Sequence, residues 1–258
     1  MDLSKELSVK GYCFREFKDN KAVAQMVLDC GLDRIDLSGC QLNYKNPDEH
    51  GPAIEVFTGA DVKIVGIGAV QLSGDPDDEE YFKFCRKAGC DTISVSGAPE
   101  TFPKALEQAG KWAEEYGMKV AIHNHGGYDW MGNSKMLKYI FSNASDNVGL
   151  CLDTAWAIQA GEDPVEWLDM FKGRIFAVHF KDFTFDKNGK YEDVIVGEGA
   201  LALSAFVKKL IETDFAGPAI IEYEADKDNP VPALTECVGV DASRPATPRT
   251  GFRPSLRG

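Results

Sequence analysis

Apolar residues in this chain gather in short β-branched or aliphatic runs that recur about every 30 residues, each followed by a helix-length amphipathic stretch. Strands apolar at nearly every position need cover on both faces, and alternation with helices is the pattern of parallel βαβ units. The runs predict eight strands: Leu7 to Phe14, Arg34 to Leu37, Val62 to Ile67, Thr92 to Val95, Lys119 to His123, Val148 to Asp153, Ile175 to His179 and Ala219 to Glu222. Between them, Asp19 opens a helix over Lys21–Cys30 that stops at Gly31, Asp75-Pro76 leads into Glu79–Ala88 before Gly89, and Pro103 leads into Lys104–Tyr116 before Gly117. Acidic or proline starts and glycine stops are the expected helix punctuation. Eight such pairs within about 250 residues predict an α/β fold, a single (β/α)8 TIM barrel. A doubly wound open sheet would carry a Gly-rich phosphate turn, but Gly66-Ile67-Gly68 is only GxG and no Walker-type loop occurs.

The rhythm ends near the C-terminus. Ala233–Val238 can begin an eighth helix, whereas residues 241–258 include SRPATPRTGFRPSLRG, with four Arg, three Pro and little to bury. The expected organisation is therefore a barrel over residues 1–240 and a disordered or weakly docked basic tail over 241–258. Over the whole chain, 28 basic against 41 acidic residues give a net charge of −13, which repels phosphate backbones and anionic membranes and argues against nucleic acid as a partner. The opening MDLSKELSVKGY has no apolar signal core and no window is long enough to span a membrane, so a cytoplasmic protein is expected. The seven cysteines, odd in number and without a CxxC pair, read as reduced structural thiols. A homo-oligomer is compatible with such an acidic barrel, although no motif marks one.

Closed barrels place their chemistry at the C-terminal ends of the strands. There AIHNH puts His123 and His125, GLCLDT puts Asp153, AVHFKD puts His179, and AIIEYE puts Glu222. Two carboxylates meeting at one buried mouth would repel, and a divalent cation relieves the repulsion. Mixed imidazole and carboxylate donors suit Mn²⁺, Co²⁺, Fe²⁺, Ni²⁺ or Zn²⁺ better than Ca²⁺, with Mg²⁺ also open. Taken singly, each residue has an ordinary use: Asp153 can cap the next helix, Glu222 and Glu224 can form a surface pair, and His50, beside Asp48 and Glu49, reads as solvated surface.

The succession HNHG, LCLDT, VHFKD, VGEG and IIEYE resembles the sugar phosphate isomerase/epimerase superfamily, the xylose-isomerase-like TIM barrels that include ketose 3-epimerases and inosose dehydratase. The likeness runs from about Leu7 to Asp228 and is densest from Lys119 onward. It implies a catalytic divalent metal on Asp153, His179 and Glu222, with Lys181 near the substrate and Glu198 in a GEG element. Epimerases of this kind carry a Glu where this chain has His123. His123 is then expected as a fourth ligand, as in the inosose dehydratase branch, and two-base epimerisation loses a carboxylate that His125 would replace.

The resemblance implies proton removal next to the carbonyl of a small carbohydrate or cyclitol, with the enolate oxygen facing positive charge. Glu222 is the expected ligand and base, and His125 or Lys181 the expected acid. The expected activity is a metal-dependent isomerase or epimerase, with a keto-sugar or inosose-type dehydratase or lyase as the alternative. A non-catalytic sugar-binding barrel is a weaker reading. An apurinic-site endonuclease of the same fold would want more ligands than four His can supply and a basic face. Trp156, Asn124 and Arg15 are candidate substrate contacts, Trp156 as an apolar wall and Arg15 as an anion clamp; Trp130 is a weaker wall candidate.

Overall fold

A computed structural model describes residues 6–126 and 129–240. The expected tail, and the Gly127-Tyr128 pair of the HNHGGYD loop, lie outside the described residues. In chain order the first half comprises β1 (Leu7–Lys10), α1 (Asn20–Asp29), β2 (Arg34–Leu37), α2 (Pro47–Gly59), β3 (Lys63–Gln71), α3 (Glu79–Ala88), β4 (Thr92–Ser96), α4 (Phe102–Tyr116) and β5 (Lys119–His123). The second half comprises α5 (Ser134–Phe141), β6 (Val148–Asp153), α6 (Thr154–Gln159), α7 (Pro164–Met170), β7 (Ile175–Phe180), β8 (Asp182–Phe185), β9 (Tyr191–Val194), α8 (Leu203–Glu212), β10 (Ala219–Ile221) and α9 (Val231–Gly239).

Eight strands close a parallel barrel in the order β1-β10-β7-β6-β5-β4-β3-β2, which is the expected fold. Helices dock outside it, and most of the apolar core lies between strands and helices. Inside the barrel, side chains alternate with period two. Ala121, Cys151, Ala177 and Ile220 form a small buried cluster there. The residues two positions on, at the mouth, are His123, Asp153, His179 and Glu222.

Five local expectations change. The first strand stops at Lys10 and a 3-10 turn over Gly11–Phe14 follows, because the chain must bend across the barrel rim; the Gly11 carbonyl there accepts from Gln41 Nε2 at 3.1 Å. The third strand runs on to Gln71, and Glu222 falls one residue past β10. His50 is not surface: the helix that Asn46 caps and Pro47 starts turns His50 inward with Ala53 and Phe57, leaving it 1% exposed with Nε2 2.6 Å from the Tyr44 carbonyl. Finally, β8 and β9 form an antiparallel hairpin outside the barrel sheet.

All seven cysteines are unpaired thiols, as expected. Among the described residues no helix is long and apolar enough to cross a membrane.

Candidate metal centre

The parallel register brings the mouth residues together. Asp153 stands opposite His179 and His123 opposite Cys151, while Ile220 pairs with His179 so that Glu222 emerges beside it. One ligand atom from each of His123, Asp153, His179 and Glu222 lies within 4.8 Å of all the others, and all four residues are buried. His123 Nε2 is 3.4 Å from Asp153 Oδ2, and His179 Nδ1 is 3.8 Å from the same oxygen and 2.7 Å from Glu222 Oε2. Donors around a cation with bonds of about 2.1 Å stand roughly 3–4 Å apart, and the 3.4 and 3.8 Å separations of the two imidazoles from Asp153 Oδ2 fall in that range.

Three of the donor atoms also lack a hydrogen-bond partner. Both nitrogens of His179 and Glu222 Oε2 are buried with no hydrogen-bond partner. Buried polar atoms are rarely left so, and a cation would satisfy them. Asp153 divides its oxygens: Oδ1 accepts from the Trp156 N–H at 2.9 Å and caps α6, while Oδ2 faces the imidazoles. The capping and metal readings of this residue therefore hold together.

Burial opposes charge at every member, and the neighbours decide the outcome. Asp153 is held below the usual carboxylate range by the neighbouring His123 and His179 imidazoles despite its enclosure. Glu222 is held well below it, burial again opposing, by the Lys181 and His179 charges. Burial pushes His123 down against the pull of Asp153, whereas at His179 negative neighbours overcome burial and raise the imidazole. Carboxylates that retain a proton on an imidazole this way also favour a dication.

Other expected site residues fall into place less directly. Asn124 is fully buried and spends its amide on the Asp153 backbone, donating from Nδ2 to the carbonyl at 3.0 Å and accepting the N–H on Oδ1 at 2.8 Å. It braces the backbone that presents the Asp153 carboxylate. Arg15 donates to the Glu224 carbonyl at 2.7 Å and covers the Tyr12 ring, so it braces the loop after β10. Glu198 is exposed, and its neighbours Gly197 and Gly199 donate N–H groups to Asp182 Oδ2. A Cβ at Gly199 would collide with that carboxylate.

Lys181 is 1% exposed and pairs with neither Asp182 nor Glu198. Its Nζ is 3.4 Å from Glu222 Oε1 and 3.4 Å from Asp193 Oδ2, and it contacts Glu224 Oε1. The surrounding carboxylates hold it charged in spite of burial. The ammonium is thus enclosed by three carboxylates, Glu222 among them.

His125 is exposed at the mouth and packs on Trp156, with ring centroids 4.0 Å apart and the planes tilted by 31°. Gly126 makes this possible, since a Cβ there would strike Trp156 and Gln159. Trp156 is buttressed edge-on by Phe183 at 4.9 Å and Tyr191 at 5.1 Å. Trp130 instead donates its indole N–H to the Gly97 carbonyl at 2.9 Å and packs on Phe102.

Three features escaped the sequence reading. Lys10 and Asp36 form a buried ion pair on adjacent strands, and Lys10 also meets the Gly68 carbonyl. Asp193 and Glu224 enclose Lys181. The hairpin that delivers Asp193 did leave a signal, Asn188-Gly189 between alternating segments, which is a strong short-range hairpin mark.

The sequence profile of the xylose isomerase-like TIM barrel family matches residues 63–239. An inosose dehydratase of Lacticaseibacillus casei is 27% identical over 149 residues, covering 51% of this chain and 49% of that protein. The chain thus spans about half the length of the curated relatives it matches. Among solved structures, an IolI protein with a bound zinc atom superposes with a TM-score of 0.73 at 18% identity, covering 92% of this chain and 98% of that one. A sugar phosphate isomerase/epimerase from Parabacteroides distasonis gives 0.72 at 14% identity, covering 94% and 95%. At these identities the structural likeness concerns the fold.

Proposed function

Because the chain belongs to the xylose isomerase-like TIM barrel family, we propose that it is a divalent-metal-dependent enzyme that removes a proton next to the carbonyl of a small keto-polyol, a sugar or cyclitol, and expels a β-hydroxyl as water. His123, Asp153, His179 and Glu222 would hold the ion. When bound, such an ion polarises a substrate carbonyl and stabilises the negative charge that develops on its oxygen.

The observation that carries this reading is the distribution of proton-carrying groups. Glu222 is committed on both sides, Oε1 to Lys181 and Oε2 to the cluster, and the fifth strand ends in an imidazole where two-base chemistry would want a second carboxylate. His125 is then the carrier open to the mouth. Its Nδ1 faces the Gly126 carbonyl at 3.4 Å, a contact that favours the tautomer with the proton on Nδ1 and the lone pair on Nε2. His125 takes the proton from carbon, the freed electron pair forms the C=C bond, and the same imidazole returns the proton to the departing hydroxyl. Trp156, buried beneath the His125 ring, backs the apolar wall against which the C–H side of the substrate ring would lie.

One carrier also serves an isomerisation, and the likeness to proteins named inosose dehydratase supports elimination over it. Seven unpaired thiols support a reducing compartment such as the cytoplasm. Incubating the Mn²⁺- or Co²⁺-loaded protein with an inosose and with ketoses in deuterated water tests the reading. Loss of water with a new enone absorbance is expected; an isomeric sugar carrying solvent deuterium would replace elimination by isomerisation.

A further inference from the structure

Lys181 presents an electrostatic problem. Its ammonium lies 3.4 Å from Glu222 Oε1, while Oε2 of the same carboxylate faces the cluster suited to a dication. A positive charge and a dication sharing one carboxylate repel each other strongly in an enclosed site. Two acidic side chains outside the cluster meet this ammonium from the other side. Glu224 Oε1 contacts it from the loop after β10, and Asp193 Oδ2 stands 3.4 Å away on β9.

Asp193 reaches it by hairpin geometry. The register pairs Phe183 with Asp193 and Phe185 with Tyr191, so the period of two puts these four side chains on one face. That face is the one turned to Trp156, and it carries Asp193 to Lys181. The other oxygen, Oδ1, is buried without a hydrogen-bond partner. Enclosing a carboxylate with one bare oxygen is unfavourable, and the ammonium is the basic partner recorded for it among the described residues.

We propose that Asp193 and Glu224 are positioning residues that neutralise Lys181, so that its ammonium fixes Oε1 of Glu222 without weakening the hold of Oε2 on a divalent cation. The inference rests on the metal reading of the four-residue cluster and concerns ion affinity, independently of the reaction catalysed. Without the two acids, Lys181 competes with the ion for Glu222. With them, the mouth accepts both charges.

Co²⁺ affinity of the full chain, measured at about pH 8 by calorimetry and by visible absorption against a competing chelator, tests this. Asp193→Asn and Glu224→Gln are each expected to weaken binding about 10- to 100-fold, the range typical of outer-sphere substitutions. In a Lys181→Met background, Asp193→Asn is expected to change affinity less than about 3-fold, because the charge it offset is gone. An equal weakening in both backgrounds would mean direct attraction of the carboxylate for the ion and would overturn the proposal.

Lys181→Met alone provides the second check and should bind Co²⁺ at least as tightly as the wild type; a loss of more than about 10-fold would also overturn it. Unfolding midpoints measured with chelator separate these outcomes from misfolding. Wild-type protein that takes up no Co²⁺ at all would instead remove the metal reading beneath both this inference and the proposed activity.

Discussion

Asn124 closes both halves of its side-chain amide on the backbone of Asp153, donating to the carbonyl at 3.0 Å and accepting from the N–H at 2.8 Å. The end of β5 thereby fixes the height at which β6 presents its carboxylate. Asn124→Ala leaves two buried backbone groups unpaired, at about 1–3 kcal/mol each. We expect a clear fall in the denaturant midpoint together with about 10- to 100-fold weaker Zn²⁺ or Mn²⁺ binding. Unchanged metal affinity in a folded variant would show that Asp153 holds its position without this brace.

Asp153→Asn separates that residue's two duties. Asparagine caps helices about as well as aspartate, so α6 should persist and chelator-treated stability should change by only a few tenths of a kcal/mol. The amide is a poor ligand in place of Oδ2, and the variant should purify without stoichiometric metal. Elemental analysis and far-ultraviolet circular dichroism on the same sample decide both halves.

His125→Ala should leave metal content unchanged, since its ring is exposed and outside the four-residue cluster. If it carries the proton, kcat falls about 10²- to 10⁴-fold. Full turnover in this variant would return the proton-carrying role to Glu222.

Enclosure lifts the Asp193 carboxyl from 3.8 to about 7 against the pull of Lys181. A carboxyl raised in the folded state binds its proton more tightly there. The stability it contributes is therefore complete below the unfolded-state value and is lost as pH rises through about 7. Between about pH 4 and 8, chelator-treated wild type should lose melting temperature relative to Asp193→Asn, whose amide does not ionise. Parallel curves for the two proteins would place the titration elsewhere.

The barrel strands are legible in the sequence because each is doubly buried and must be apolar along its length. A His, Asp or Glu ending such a run stands out, which is why His123, Asp153, His179 and Glu222 can be read before any coordinates exist. Partners set by closure of the barrel cannot be read that way. Lys181 meets Glu224 and Asp193 only because β10 returns beside β7 and the hairpin folds back over α6. Lys181 does not turn to its sequence neighbour Asp182, whose carboxylate is occupied by the N–H groups of Gly197, Gly199 and Leu201. His50 misleads because Pro52 and the glycines of α2 blur the amphipathic signal of a helix that nevertheless forms.

The β8–β9 ribbon shares no ladder with the cylinder it leans on. Its turn can lengthen, shorten or change composition without disturbing the staves that carry the four-residue cluster. Asp193 is a rivet through which, on the proposed charge balance, redesign of that ribbon would be felt at Lys181 and Glu222.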